Sequence, residues 1–251
     1  MMLSERDANI RKEGNRMTLL SQMIKVENCK LYNFNNIWDF LLEYKHIPSE
    51  MIKHEFNKYK EELEWFESKI NSLPKTFNRI IDGRQYYHRD FYFDNNAKYG
   101  FEIEWDINIA KELIQTNKLQ TVNFNVGKFI DYINPRDLNQ AILRDPNINP
   151  EPIIVMHYDP INLFVPIDGN HRVYKTHRIN PNKPIEGYLL SPEIHIQAMA
   201  CDLHRILYKL HHNIAVINNL VTGNKNRIKR YSKWNFLKKR QAITNRLYRL
   251  E

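Results

Sequence analysis

The stretch VPIDGNHRVYK, Val165 to Lys175, decides how this chain is read. It continues the apolar pair Leu163-Phe164 and sets Gly169 between Asp168 and Asn170, with His171 and Arg172 directly after; the chain has only seven glycines in 251 residues. An apolar run closed by a carboxylate and a glycine, then continued by VYKTHRI, predicts a strand, a tight turn and a helix. The start of such a helix leaves backbone N–H groups without internal partners and carries partial positive charge, which suits an anion. Gly169 fits because the absence of a Cβ permits positive φ and close ligand approach. Arg172 adds a planar donor fork that matches phosphate or carboxylate oxygens. Asp168 can hold a metal, orient an imidazole or accept a proton, and His171 can supply a donor or an acid near neutral pH.

Working outward, IIVMHY (153–158) reads as a second strand, turned by DPIN into LFVPI and entered from PNINPEP, a loop with three prolines. Further upstream, INPRDLNQAILRD predicts a short helix, QTVNFNV a strand and INIAKELIQT a helix. The segment NRIIDGRQYYHRDFYFDNNAKYGFEIEW alternates bulky β-formers around Asp82-Gly83 and Asn95-Asn96, which predicts a small antiparallel hairpin sheet. Its DGRQYYHR echoes the central motif in letters, but the glycine there precedes a hairpin strand and is assigned to structure. Asn36 to Leu73 reads as two helices divided at HIPSE; in MIKHEFNKYKEELEWFESKI, the residues Phe56, Tyr59, Leu63, Phe66 and Ile70 recur every three or four positions, an amphipathic helix. After the motif, Met199, Leu203, Ile206, Leu210, Ile214 and Ile217 predict one helix from about Pro192 to Leu220, ended by Gly223-Asn224.

A hydrophobic content of 42% argues against disorder, and no apolar run approaches the roughly 20 residues that span a bilayer. No membrane partner is expected. Two cysteines, Cys29 and Cys201, give no disulfide framework, and the charged first 23 residues lack the apolar centre of a secretory signal, so a cytoplasmic location is expected. The net charge of +8 is a property of the C-terminal tail: residues 223–251 carry ten Lys/Arg against one acid, leaving the rest of the chain at −1. Lys225, Arg227, Lys229, Arg230, Lys238, Lys239 and Arg240, interleaved with Tyr231, Trp234 and Tyr248, are candidate contacts to a nucleic-acid backbone and its bases. The competing reading is an amphipathic helix whose apolar members pack on the body. Cys201 and His204 form a C-x₂-H pair, with His195, His211 and His212 nearby in sequence, that cannot define a zinc site alone, so a core cysteine and surface histidines are expected.

The run PEPIIVMHYDPINLFVPIDGNHRVYKTHRI resembles the signature region of the ParB/sulfiredoxin superfamily, and FIDYINPRDLNQAI is similar to that family's upstream box through Asn134, Pro135 and Arg136. Members bind or hydrolyse CTP or ATP, reduce sulfinic peroxiredoxin, phosphorylate free serine with ADP, or are described as nucleases. Residue identity narrows these. Sulfiredoxins place a cysteine directly before the His-Arg pair, where this chain has Asn170. Partitioning ParB proteins carry a Gly-Glu-Arg-Arg type box, and the acid after glycine is missing here. Free serine kinases have Asp-Gly-His-His-Arg, one residue away from this motif. The resemblance thus implies a nucleotide (ATP, ADP or CTP) with Mg²⁺, held by Gly169, Asn170, His171, Arg172 and Arg136, with Asp168 and His171 as catalytic candidates.

The expected architecture is α+β: a flexible polar arm over 1–24, helices and a hairpin over 25–120, a ParB/sulfiredoxin-like core over 121–195, and C-terminal helices with a basic tail over 196–251. The expected function is nucleotide binding with phosphoryl transfer or nucleotide hydrolysis. The alternative is a nucleic-acid-binding regulator or partitioning-type protein, or less directly a nuclease, in which nucleotide acts as a switch.

Overall fold

A computed structural model describes residues 56–61, 64–65, 84–92, 100–145, 150–221 and 248. The polar arm, the helix entry at HIPSE, the Asp82-Gly83 and Asn95-Asn96 turns, and the seven basic tail residues lie outside the described residues. The chain is mixed α and β, and its described residues form one two-stranded and one four-stranded sheet. It divides into two compact units: one comprises Arg84–Tyr87 and Trp105–Met199, the other Met1–Gly83, His88–Glu104 and Ala200–Glu251.

The unit that carries the motif is built on four strands: β3 (Thr121–Asn125), β4 (Ile153–Tyr158), β5 (Leu163–Asp168) and β6 (Pro184–Leu190), in the order β3-β6-β4-β5. β1 (Tyr86–Tyr92) and β2 (Gly100–Asp106) form the smaller sheet. β4 pairs antiparallel with β5 and parallel with β6, which pairs antiparallel with β3. β4 is apolar along nearly its whole length because both of its faces are covered. Ile153 and Val155 join Val126, Phe129, Ile133, Leu138 and Val173 in one core. Across it lie the short 3₁₀ turns Val126–Lys128 and Ile130–Tyr132 and the helix α3 (Asn170–Ile179).

The other described α-helices of this unit are α1 (Ile107–Thr116), α2 (Gln140–Arg144) and α4 (Pro192–His195). α4 packs against β4, and α1 packs against the 3₁₀ turn Ile196–Ala198. α1 starts where Asp106 accepts hydrogen bonds from the amides of Asn108 and Ile109 and pairs with Arg84 at 2.9 Å.

β6 occupies an inner position although its sequence, PIEGYLL, neither alternates nor runs apolar, and no strand is expected there from pattern. Register opposes Gly187 to Ile153, and a Cβ on Gly187 would meet Ile153 Cγ1 at 2.6 Å and Ile153 O at 2.9 Å. The glycine admits close approach of the two backbones.

The single helix expected over Pro192–Leu220 is instead two. α4 ends at His195, the 3₁₀ turn follows, and α5 begins anew over Asp202–Val221. Met199 leaves helical geometry with ψ 134 and forms an antiparallel bridge with Trp105, while Ala200 N–H donates to the Glu104 carbonyl. These strand-like bonds satisfy backbone groups that a continuous helix would have used internally.

In the second unit, 56–61 is helical, and Phe56 and Tyr59 are buried as their spacing predicts. The Phe91 and Phe101 rings stack at 6.0 Å, and His211 of α5 meets Phe101 edge-on at 5.4 Å. Asn213 of α5 donates to Tyr59 Oη and to the Tyr248 carbonyl, and accepts from the Tyr248 amide. The histidines expected at the surface are core residues: His195, His204 and His211 are buried. His204 Nδ1 accepts from the Glu104 amide, a bond that holds the imidazole inside. Cys201 is buried, which pushes its thiol up to about 12 and leaves it inert.

Candidate functional site

β5 delivers Asp168 to the sheet's end, and Gly169 turns the chain into α3 with φ 91 and ψ 19, a left-handed conformation. The strand, turn and helix expected from the sequence are all present. Val173 N–H donates to the Gly169 carbonyl at 3.0 Å as the first bond of the helix, so the amides of Asn170, His171 and Arg172 precede the ladder. No side chain caps this helix start. Asp168 leaves the cap empty and pairs elsewhere.

Two cations share Asp168 Oδ2: Arg172 Nη2 lies at 3.5 Å and Lys111 Nζ of α1 at 3.7 Å. They differ in setting. Arg172 is only 7% exposed, and its Nη1 donates to the Glu151 carbonyl at 2.8 Å and lies 3.6 Å from Glu151 Oε2. The guanidinium therefore faces protein groups on the entry loop to β4 and on the end of β5. Lys111 has a half-exposed side chain. Lys111 lies far upstream of the motif, and nothing in the sequence marked it as a site residue; a basic position on the outer face of an amphipathic helix is too common to be a signal.

His171 points to the segment that the sequence grouped with the motif. Its Nε2 accepts from the Asn139 amide at 2.8 Å. A backbone N–H can only donate, so Nε2 is the unprotonated nitrogen and the neutral ring carries its proton on Nδ1. Desolvation lowers the His171 pKa, and the nearby Lys175 charge lowers it further against the opposing pull of Asp168. Asn139 in turn caps α2 by accepting from the Ala141 amide. Arg136 sits three residues earlier, in the 3₁₀ turn Pro135–Asp137 that Asn134 caps, and is exposed. The structure thus brings Asp168, Gly169, Asn170, His171, Arg172 and Lys111 together, with the Arg136 turn tied to them through Asn139.

Asn170 Oδ1 is buried with no hydrogen-bond partner among the described residues. Most buried polar atoms have a partner, which sets Asn170 Oδ1 apart within the turn. Among the described residues, no cluster of three or more His, Cys, Asp or Glu side chains could hold a metal ion. None of their helices is long and apolar enough to cross a membrane. Comparison with family models, curated proteins and solved structures finds no match.

Proposed function

We propose that this protein binds a nucleotide by its phosphates at the β5–α3 turn and uses it for phosphoryl transfer or hydrolysis. The observation that supports this reading is a left-handed glycine opening a ten-residue helix whose three leading amides have no side-chain cap, beside a carboxylate and two cations. The motif's resemblance to the ParB/sulfiredoxin superfamily supplies the ligand class, ATP, ADP or CTP. Mg²⁺ entering with phosphates is commonly held by one or two carboxylates, and Asp168 offers one. The chemistry asked of the chain itself is modest. The amides of Asn170, His171 and Arg172 bind and orient the phosphates, Asp168 takes a proton from an attacking hydroxyl or contributes to the ion's shell, and neutral His171 donates from Nδ1.

The test is thermal and chemical unfolding with ATP, ADP and CTP, each with and without Mg²⁺. A ligand at 100 times its Kd stabilises by about 2.7 kcal/mol. Stabilisation by one of them is the expected result, and none by any removes the reading.

The charge of residues 223–251 supports a second reading, a nucleic-acid-binding regulator that uses the nucleotide as a switch. One candidate stacking residue is already committed elsewhere: Tyr248 is held through its backbone by Asn213, and its ring contacts His212 at 4.7 Å. Oligonucleotide affinity that falls steeply with salt, by about 0.9 in log–log slope per phosphate neutralised on duplex DNA, and that is lost on truncation after Thr222, is the expected signature.

A further inference from the structure

We infer that Lys111 is the anion-binding cation of the β5–α3 turn, and that Arg172 is the buttress that holds the turn in shape. This rests on the nucleotide reading above and assigns within it the charge that meets the phosphates.

The division of labour follows from the two settings. Arg172 is buried, hydrogen-bonded to the Glu151 carbonyl and flanked by the carboxylates of Glu151 and Asp168. Moving its fork toward a ligand would break the 2.8 Å bond to the Glu151 carbonyl and leave a largely buried carboxylate without it, and vacated buried polar groups are costly. Lys111 has no such tie. Its contact with Asp168 is 3.7 Å long, beyond hydrogen-bond distance, and its side chain is 49% exposed. An ion pair so loose and so wet contributes little, so an incoming anion can displace it at little cost. The flexible four-carbon stem also lets the ammonium turn from Asp168 to a phosphate without moving α1.

Exchange of that partner has a second effect. Asp168 Oδ2 is shared by Lys111 and Arg172, which lie 3.7 and 3.5 Å from it. When a phosphate takes the lysine, one of the two cations leaves the carboxylate, whose oxygen then faces the ligand side of the turn. Lys111 thereby couples occupancy of the anion site to the availability of Asp168.

The experiment measures Kd for MgATP, MgADP, MgCTP and inorganic pyrophosphate by titration calorimetry on the full chain, for wild type, Lys111→Ala and Lys111→Arg, with a ligand-free thermal melt of each. The expected result is a 10- to 100-fold weaker Kd for Lys111→Ala, about the value of one charge-assisted hydrogen bond, with an unchanged ligand-free melt and partial recovery in Lys111→Arg. Pyrophosphate should lose affinity by the same factor as the nucleotides, since the contact is to phosphate. Wild-type binding matched by Lys111→Ala overturns the lysine's role and leaves the nucleotide reading standing. No binding of any ligand by wild type removes both.

Discussion

The guanidinium of Arg172 lies over Gly169 so closely that a Cβ on the glycine would come within 2.7 Å of Nη2 and 2.9 Å of Nε, and within 2.5 Å of Ile153 Cγ2. The glycine is thus needed twice, for its left-handed φ of 91 and for the space its missing side chain leaves to arginine and isoleucine. Gly169→Ala should destabilise the protein by about 2–4 kcal/mol, combining the left-handed cost with overpacking. Urea denaturation would read this as a lowered midpoint. A change under about 0.5 kcal/mol would mean that the turn is free to adopt another conformation.

Arg172→Ala should also act on stability before it acts on any ligand. It removes the donor to the Glu151 carbonyl and leaves Asp168 with Lys111 alone. A loss of about 2–3 kcal/mol is expected. Arg172→Lys keeps the charge but lacks the fork, and should recover only part of it. If both variants melt as wild type does, the inward guanidinium is not holding the turn.

Asp168→Asn keeps the side chain's shape and removes the charge that draws Lys111 and Arg172. Affinity for the metal-free nucleotide should hold or improve, since a negative group leaves the anion site, while turnover falls by two or more orders of magnitude if the carboxylate takes a proton. Turnover equal to wild type would place the base elsewhere.

His195 sets a pH dependence that has nothing to do with the motif. Its Nδ1 accepts from Trp105 Nε1 at 3.4 Å, its Nε2 donates to the His157 carbonyl at 3.1 Å, and burial lowers its pKa to about 4. The unfolded ring titrates near 6.5, so between about pH 6.5 and 4 the unfolded state binds the extra proton, and stability falls as pH falls, by on the order of 3 kcal/mol across the window. Above about pH 6.5 this contribution is flat. Denaturant midpoints from pH 4 to 8 should show that slope, and His195→Gln should flatten it; an unchanged slope would assign the acid sensitivity to other groups.

Much of the site's scaffold was legible in the sequence, for local reasons. IIVMHY is a strand buried on both faces and announces itself as an unbroken apolar run. DGNHR marks its turn because glycine is scarce in this chain and stands before a helical pattern. PIEGYLL gave no such signal, because Gly187 exists to let Ile153 pass and that neighbour is thirty-four residues away. The break between α4 and α5 was hidden for the same reason: an apolar stripe continues through Met199, and only its bridge to Trp105 takes the backbone out of the helix. Histidine composition was misleading at 195, 204 and 211: partners distant in sequence hydrogen-bond the first two rings, and the third packs edge-on against Phe101. Lys111 joined the site through packing alone.

The bridge from Trp105 to Met199, and the neighbouring bond from the Ala200 amide to the Glu104 carbonyl, bear on how the gene could be rearranged. Both ends of the segment that carries the motif meet side by side, and so do the two ends of the chain from which that segment departs. Segments with adjoining ends are the ones that tolerate being moved, because closing the gap they leave requires little loop entropy. Residues 105–199, all of the motif-carrying unit but Arg84–Tyr87, are therefore carried like a cassette: a short turn joining Glu104 to Ala200 would let the flanking chain run on without them, and a permuted gene could begin and end inside them.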